Sequence, residues 1–179
     1  MEPPTVTGRD VLVDKQSAVD EAGALRQAPI DGLQYRSARP VPHEDGFLTE
    51  VARQAWSEID QPIVQVHVTT TFPEHIRAWG MHQNSTDRLF VVCGLVSIVV
   101  FDGREGSPSF GQVNEFRVSE RNPALLVIPP MLYHGWKNIG MDEAFIINMP
   151  SNQYRYDSPD ALDLPYESLK AEEVVPFRW

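Results

Sequence analysis

The sequence is poor in cysteine and in long apolar segments. Its 179 residues include one cysteine, Cys93, so no disulfide bond can form within the chain. The apolar run around Cys93 favours a buried, structural thiol. No uninterrupted apolar run approaches the roughly 20 residues that a membrane-spanning helix needs. The first residues lack a basic start followed by an apolar stretch, so we expect no signal peptide and a cytoplasmic protein.

Positive charge is also scarce. The chain has 15 Lys and Arg residues against 25 Asp and Glu residues, which gives a formal net charge of −10. Such a chain repels nucleic-acid phosphates and anionic lipids, so we expect neither a nucleic acid nor a membrane as a partner. A small anionic ligand is not excluded, because nearby cations outweigh a distant, screened net charge. The length fits one domain, which we predict to span residues 1–179.

Short β-type segments dominate the chain from about residue 46 to residue 150, which we predict to be the core of the fold. They are separated by turns that contain Gly, Pro or Asn, and they cover residues 64–68, 89–92, 95–101, 116–118, 124–128, 133–137 and 144–148. Many short strands with little helical periodicity indicate an all-β antiparallel sandwich or barrel. Outside this interval we predict a short amphipathic helix over residues 14–26 and a helical turn capped by Ser158.

Two segments make the fold prediction more specific. Residues 128–138 resemble the second cupin motif, P-x-G-x-x-H-x-x-x-N, with His134 at the histidine and Met131 where glycine is usual. Residues 82–94 resemble the first cupin motif, with His82 at the first histidine, Asn84 at the second and Asp87 in place of glutamate. This resemblance implies a cupin-type antiparallel jelly-roll barrel with short helical or irregular extensions at both ends.

Within the cupins, the chain resembles the dTDP-4-dehydrorhamnose 3,5-epimerase family. The matching segments are residues 45–50, 65–69, 79–83, 88–92, 102–111, 128–136 and 152–154. Residues 102–111, Asp-Gly-Arg-Glu-Gly-Ser-Pro-Ser-Phe-Gly, are the most specific match, because no general structural propensity demands them. The resemblance implies an epimerase that acts on a 4-keto-6-deoxy sugar nucleotide, works as a homodimer and needs no cofactor.

The same resemblance assigns three catalytic roles. His82 stands at the family's catalytic histidine and would act as the base that removes a proton next to the ketone, a role suited to a group that titrates near neutrality. Tyr154 stands at the catalytic tyrosine and would return a proton to the opposite face. Arg88 stands at the family's lysine and would stabilise the enolate oxygen with its permanent charge.

A further group of residues is predicted to bind substrate. The strand pattern places His67 on one polar face with Gln65, and in a cupin that face can line the barrel. Asp45 and Trp79 stand where the family has arginines, and Arg77 could compensate for the lost charge. Asp160, Asp163 and Glu167 are candidates for the carboxylate partner of His82. The predicted substrate-binding residues are Glu50, Gln65, His67, Arg77, Trp79, His134 and Tyr156.

Three alternatives remain open at this stage. The first is a metal-dependent cupin oxygenase or isomerase, which would need three or four His and carboxylate ligands at one point. His82, Asp87 and His134 could converge as such ligands, but Asn84 stands at the second histidine of the first motif and disfavours a metal, so we predict no metal ligands. The second is a non-catalytic cupin that binds a sugar. The third is a sugar 3,4-ketoisomerase, which uses the same barrel and histidine-based proton transfer.

Overall fold

Residues 28–179 are described by the computed structural model, which is built almost wholly of β-strands. The strands are β1 (Gln34–Ser37), β2 (Val41–His43), β3 (Gly46–Leu48), β4 (His67–Thr71), β5 (Ile76–His82), β6 (Asp87–Cys93), β7 (Leu95–Phe101), β8 (Val113–Ser119), β9 (Ala124–Ile128), β10 (Tyr133–Asn138), β11 (Ala144–Asn148) and β12 (Ala161–Asp163). One short helix, α1 (Leu169–Val174), follows in the described part of the chain.

The strands form two five-stranded antiparallel sheets and a separate hairpin. The first sheet has the order β1-β9-β6-β11-β4, the second has the order β12-β5-β10-β7-β8, and β2 pairs with β3. Strands that are neighbours in a sheet are often distant in sequence, as where Ala161–Asp163 pairs with Gly80–His82. Two facing antiparallel sheets, in which neighbouring strands are distant in sequence, are typical of a jelly roll. The predicted cupin-type fold is therefore confirmed.

The core lies between the two sheets, and side chains alternate about it. On β6, Leu89 and Val91 point inward to the main apolar cluster, whereas Phe90 packs in a second cluster outside the sheet, against residues 51–63. Period-two alternation therefore sends Asp87 inward, toward the open end of the barrel, and Arg88 outward. The geometry of the site follows from this alternation.

A third cluster covers the outer face of the second sheet. Helix α1 begins after Ser168, whose side chain accepts a hydrogen bond from the Ala171 backbone N–H and caps the helix. Phe177 and Trp179 then pack against Trp79 on β5, with ring centroids 6.1 and 5.0 Å away. The C-terminal segment thus buries the outward face of the strand that carries His82.

Several local predictions differ from the structure. No helical turn follows Ser158; the helix begins ten residues later, because the chain at 161–163 is taken up as an edge strand of the second sheet. Cys93 is exposed, not buried, because it ends β6 at a turn. Strands β1, β2 and β12 lie outside the 46–150 interval, and the predicted helix at 14–26 lies outside the described residues. None of the described helices is long and apolar enough to cross a membrane.

Candidate active site

A cavity of about 1010 Å³ opens at the end of the barrel where β4, β6 and β11 meet β5. Five strand ends and the loop that follows β11 supply its walls. The lining includes both charged and neutral polar groups: Gln65, His67, Arg77, His82, Gln83, Asn84, Ser85, Asp87, Asn148, Asn152, Gln153, Tyr154, Arg155, Ser158 and Asp160. A concave site with convergent polar groups is the usual form of a small-molecule site.

His82 lies between two carboxylates in this cavity. Its Nε2 is 3.3 Å from Oδ2 of Asp87, and its Nδ1 is 3.5 Å from Oδ2 of Asp160. The His82 side chain remains about one quarter exposed, so the ring is reachable from the cavity. Carboxylate oxygens therefore face both ring nitrogens of His82.

Asp160 is fixed by the loop that follows His82. Its carboxylate accepts hydrogen bonds from the backbone N–H groups of Asn84 and Ser85, at 3.1 and 3.0 Å, and from Nδ2 of Asn84 at 2.8 Å. Burial raises the pKa of Asp160, but these hydrogen bonds and the charge of His82 outweigh it, and the net pKa is lowered. Of the three predicted partners of His82, the structure therefore brings Asp160 to the ring.

Asp87 and His134 form a buried pair below His82. Oδ2 of Asp87 lies 3.1 Å from Nε2 of His134, and Oδ1 accepts a hydrogen bond of 2.7 Å from Nδ2 of Asn148. Nδ1 of His134 lies 3.1 Å from the Leu132 carbonyl oxygen. His134 thus contacts Asp87 and is itself almost completely buried, which places it beneath the cavity surface.

The structure brings four of the other predicted residues to the cavity wall. Gln65, His67, Arg77 and Tyr154 all line it, and Oε1 of Gln65 accepts a 2.8 Å hydrogen bond from the Tyr154 backbone N–H. Tyr154 is 49% exposed and its ring meets that of Tyr156 edge-on at 5.1 Å. Tyr156 is 90% exposed and lies outside the lining, so it supports Tyr154 from the solvent side.

Three predicted site residues lie elsewhere. Arg88 is fully buried on the outer face of its sheet, where its guanidinium donates hydrogen bonds to the carbonyl oxygens of Met149 and Gln61. Trp79 is buried in the C-terminal aromatic cluster. Glu50 is exposed and pairs with Arg53, away from the cavity. Neither Arg88 nor Trp79 therefore lines the cavity, as their predicted roles at the enolate and at the substrate would require. Alternation along β6 turns Arg88 outward, and Trp79 packs among the C-terminal aromatic rings.

The most specific sequence match, residues 102–111, has a structural role. Asp102 is completely buried and accepts hydrogen bonds from the Arg104 guanidinium, from the Arg104 backbone N–H and from the hydroxyls of Ser107 and Ser109. Arg104 also donates to the Asp31 carbonyl oxygen at 2.8 Å. Burial raises the pKa of Asp102, but these donors hold it well below its usual range. The motif thus ties the loop between β7 and β8 to residue 31, away from the cavity.

The donor groups in the cavity do not favour the metal-dependent alternative. Over residues 28–179, no group of three or more His, Cys, Asp and Glu side chains is arranged to hold a metal ion. The ring nitrogens of His82 and His134 instead share one oxygen of Asp87 at hydrogen-bonding distances. A site of this kind is arranged to hold and move protons.

The fold and the site together define a class of protein: a cupin-type isomerase with a histidine–carboxylate pair and a tyrosine at the open end of its barrel. Residues 27–170 match the profile of the family described as dTDP-4-dehydrorhamnose 3,5-epimerase. The chain belongs to this family.

Two curated relatives and one solved structure illustrate the likeness. The probable low-salt glycan biosynthesis epimerase Agl13 of Haloferax volcanii is 31% identical over 77% of this chain and 89% of its own length. The spore coat polysaccharide biosynthesis protein SpsL of Bacillus subtilis is 27% identical over 84% of this chain and 96% of its own. A dTDP sugar isomerase from Desulfovibrio desulfuricans superposes with a TM-score of 0.76 at 25% identity, covering 84% of this chain and 92% of that one.

Sequence reasoning did not assign Asn148 and Arg155 to the site, and it placed Asp87 beside His82 and His134 only in the metal-dependent alternative. Asn148 ends β11 in a run that reads as an ordinary strand, and its contact with Asp87 arises only when β11 pairs with β6. Arg155 lies directly after Tyr154, and that adjacency was the one signal that could have pointed to it.

Proposed function

We propose that this protein is an epimerase that removes and returns a proton at a carbon next to the ketone of a 4-keto-6-deoxy sugar nucleotide. The observation that carries the proposal is the arrangement of His82: its ring opens to the cavity, Asp160 lies at Nδ1, and Tyr154 lines the same cavity. Membership of the family supports the substrate class, because 4-dehydrorhamnose is a 4-keto-6-deoxy sugar.

In the proposed reaction, His82 takes the proton from the sugar carbon. The electron pair of the C–H bond moves to the carbonyl oxygen and forms an enolate, while the imidazolium is stabilised by Asp160. Tyr154 then donates its phenolic proton to the opposite face of the same carbon. The phenol suits this role because it stays protonated at neutral pH until a strongly basic carbanion reaches it.

Arg77 and Arg155 are proposed to hold the nucleotide diphosphate. Both line the cavity, and a guanidinium binds phosphate oxygens with two parallel hydrogen bonds. Arg77 also lies over the ring of Trp136, 5.9 Å from its centroid, which restrains its side chain. These two residues supply local positive charge in a chain whose net charge is −10.

The test is incubation of the protein with dTDP-4-keto-6-deoxyglucose in deuterated water, followed by proton NMR. The expected result is loss of the proton signals next to the ketone together with appearance of inverted product. Absence of both exchange and inversion, with dTDP binding measured by calorimetry, would favour the sugar-binding alternative. Activity that disappears on chelation and returns with one transition-metal ion per chain would favour the metal-dependent alternative.

We also propose a homodimer. Val64, Val66 and Val68 are exposed along and before β4, which is an edge strand of the first sheet, and Phe47 and Leu48 are exposed on the β2–β3 hairpin. Unpaired edges and neighbouring apolar side chains favour pairing with a second copy. Light scattering after gel filtration checks this, with a mass of two chains expected.

A cytoplasmic location stays a prediction, which the exposed free thiol of Cys93 fits.

A further inference from the structure

The base of the proposed reaction lies between two carboxylates. Nδ1 of His82 faces Asp160, and Nε2 faces Asp87 at 3.3 Å. A base must present an unprotonated nitrogen to its substrate, so the charges that face the two ring nitrogens bear directly on the proposed reaction. A cation beside one of these carboxylates would reduce the negative charge that the ring faces.

His134 is placed to do this. Its Nε2 lies 3.1 Å from the Asp87 oxygen that also faces His82, and its Nδ1 lies 3.1 Å from the Leu132 carbonyl oxygen. Both ring nitrogens thus face acceptor oxygens, an arrangement that favours the imidazolium, in which both nitrogens are donors. Burial lowers the pKa of His134, but the hydrogen bond to Asp87 and the charge of Asp87 outweigh it, and the net pKa is raised.

Asp87 is correspondingly fixed as an anion. It is 2% exposed, and its second oxygen accepts the hydrogen bond from Asn148. Burial raises the pKa of Asp87, but the hydrogen bond and charge of His134 outweigh it, and the net pKa is lowered. Asp87 and His134 thus form an ion pair with no net charge at the Nε2 side of His82.

We propose that Asp87 and His134 act as a positioning pair for the reaction: Asp87 orients His82 through Nε2, and His134 balances the charge of Asp87 so that His82 can accept a proton. This inference rests on the proposed function, in which His82 is the base. The sequence predicted that Arg88, near the start of β6, would bring a cation to the site. In this inference the buried Asp87–His134 pair acts there instead. Neither member needs to touch the substrate.

Other groups also act on His82, and the experiment must separate them from the pair. Asp160 acts at Nδ1, on the other side of the ring. The titratable and charged groups around the ring are Asp87 on β6, His134 on β10, Arg77 on β5, His67 on β4, Tyr154 and Arg155 after β11, and Asp160 and Asp163 at β12. Within this group, Asp87 is the one that contacts Nε2 of His82, and His134 is the one that contacts Asp87.

Two substitutions should shift the pH dependence in opposite directions. In His134→Gln, Asp87 becomes an unbalanced counter-ion for His82, so the acid limb of the kcat/KM profile should move to higher pH. In Asp87→Asn, His82 loses a carboxylate, so the acid limb should move to lower pH. In both variants kcat at its optimum should fall about tenfold to a hundredfold, as for other groups that orient a reacting residue, with KM little changed.

Asp142→Asn is the matched control, because it removes one carboxylate at an exposed position outside the cavity and should move neither limb. A purely structural role for the pair predicts lower melting temperatures with unshifted limbs. Limbs that move in the same direction, or do not move, would overturn the proposal. If Asp87→Asn does not fold, His134→Gln alone still decides, through the direction of its shift.

A second measurement separates this inference from the proposed function. The imidazole ¹⁵N shifts of His82, followed by NMR against pH in the protein without ligand, report its pKa directly. If the wild-type protein exchanges no substrate proton, the epimerase proposal fails, but the opposite pKa shifts of His82 in the two variants are still expected. Unchanged His82 titration in both variants would contradict the positioning pair whatever the substrate.

Discussion

Oδ2 of Asp160 lies 3.5 Å from Nδ1 of His82, although 77 positions separate the two residues in the sequence. The pairing of β12 with β5 brings them together, since Ala161 stands opposite His82 in the register. The backbone N–H groups of Asn84 and Ser85 donate to the same carboxylate, so Asp160 both faces the ring and fixes the loop that follows it. The short edge strand β12 therefore has a direct part in the site.

Replacing Asp160 by Asn keeps the shape of the side chain and removes its charge. The His82 ring then loses the anion at Nδ1, so the imidazolium that forms during proton abstraction is less stable. We expect kcat to fall about tenfold to a hundredfold, with a smaller effect on KM. Steady-state kinetics with the dTDP sugar checks this. Asp157→Asn, on the exposed loop before it, is the control, and equal losses in the two variants would contradict a specific role for Asp160.

Replacing His82 by Ala should abolish both deuterium exchange and inversion. No group then remains to form the enolate, and loss of a positioned base typically costs about a hundred- to ten-thousandfold in rate. The measurement is the NMR exchange experiment in deuterated water. His75→Ala removes a histidine that is exposed and remote from the cavity lining, and it should behave as wild type. Wild-type exchange in His82→Ala would refute the assignment of the base.

The variant Tyr154→Phe should separate exchange from inversion. It keeps the ring and its contact with Tyr156 but removes the proton donor. The enolate still forms, and His82 returns a proton to the original face. We therefore expect deuterium incorporation next to the ketone with little net inversion, measured by NMR. Tyr156→Phe, at a 90% exposed position, should leave both unchanged. Full inversion by Tyr154→Phe would mean that Tyr156 or water, and not Tyr154, donates the proton.

Arg88 and Arg77 should differ in what their loss affects. Arg88→Met removes donors from the carbonyl oxygens of Met149 and Gln61. The bond to Met149 is buried, and an unsatisfied buried group costs about 1–3 kcal/mol of stability. We expect a lower free energy of unfolding by chemical denaturation and a kcat near wild type in the folded fraction. Arg77→Met should instead weaken dTDP binding measured by calorimetry and leave stability almost unchanged. Weaker dTDP binding by Arg88→Met, with unchanged stability, would instead support the predicted role of Arg88 in the site.

Asp102 should contribute stability that depends on pH. Asp102→Asn leaves Arg104 without its partner, and breaking a buried ion pair costs about 3–5 kcal/mol, less here because Arg104 is one quarter exposed. Because the folded pKa of Asp102 is depressed, its contribution is fully present above the unfolded value of about 3.9 and is lost as pH falls toward the folded value.

The measurement for Asp102 is denaturant unfolding of both proteins between neutral and acidic pH. The difference in stability between wild type and Asp102→Asn should shrink below pH 4, by the linkage just described. Glu105→Gln lies in the same loop at an exposed position and should change stability little at any pH. If the difference in stability between wild type and Asp102→Asn stays constant with pH, the lost stability comes from the changed shape of the side chain and not from its lost charge.

The sequence alone determined the fold class, and it assigned the histidine that lies in the cavity. Strands at 95–101, 124–128 and 144–148 were predicted with the bounds that the structure has, because turn residues flank short β-branched runs whose propensity is local. The match of residues 102–111 pointed to the family, although the structural role of Asp102 became visible only in its contacts. His82 and Tyr154, which both line the cavity and whose catalytic roles stay predictions, were assigned because the family motifs mark them within short segments.

The tertiary structure decided which side chains meet. Asp87 and Arg88 are neighbours on one strand, and the sequence motif assigned a role in the site to Arg88. Strand alternation instead turns Arg88 out of the barrel and Asp87 into it. Asp160 and Asn148 reach the site only through pairings between strands distant in sequence. Such contacts depend on sheet register, which many strands determine together, so a single sequence segment carries no local signal for them.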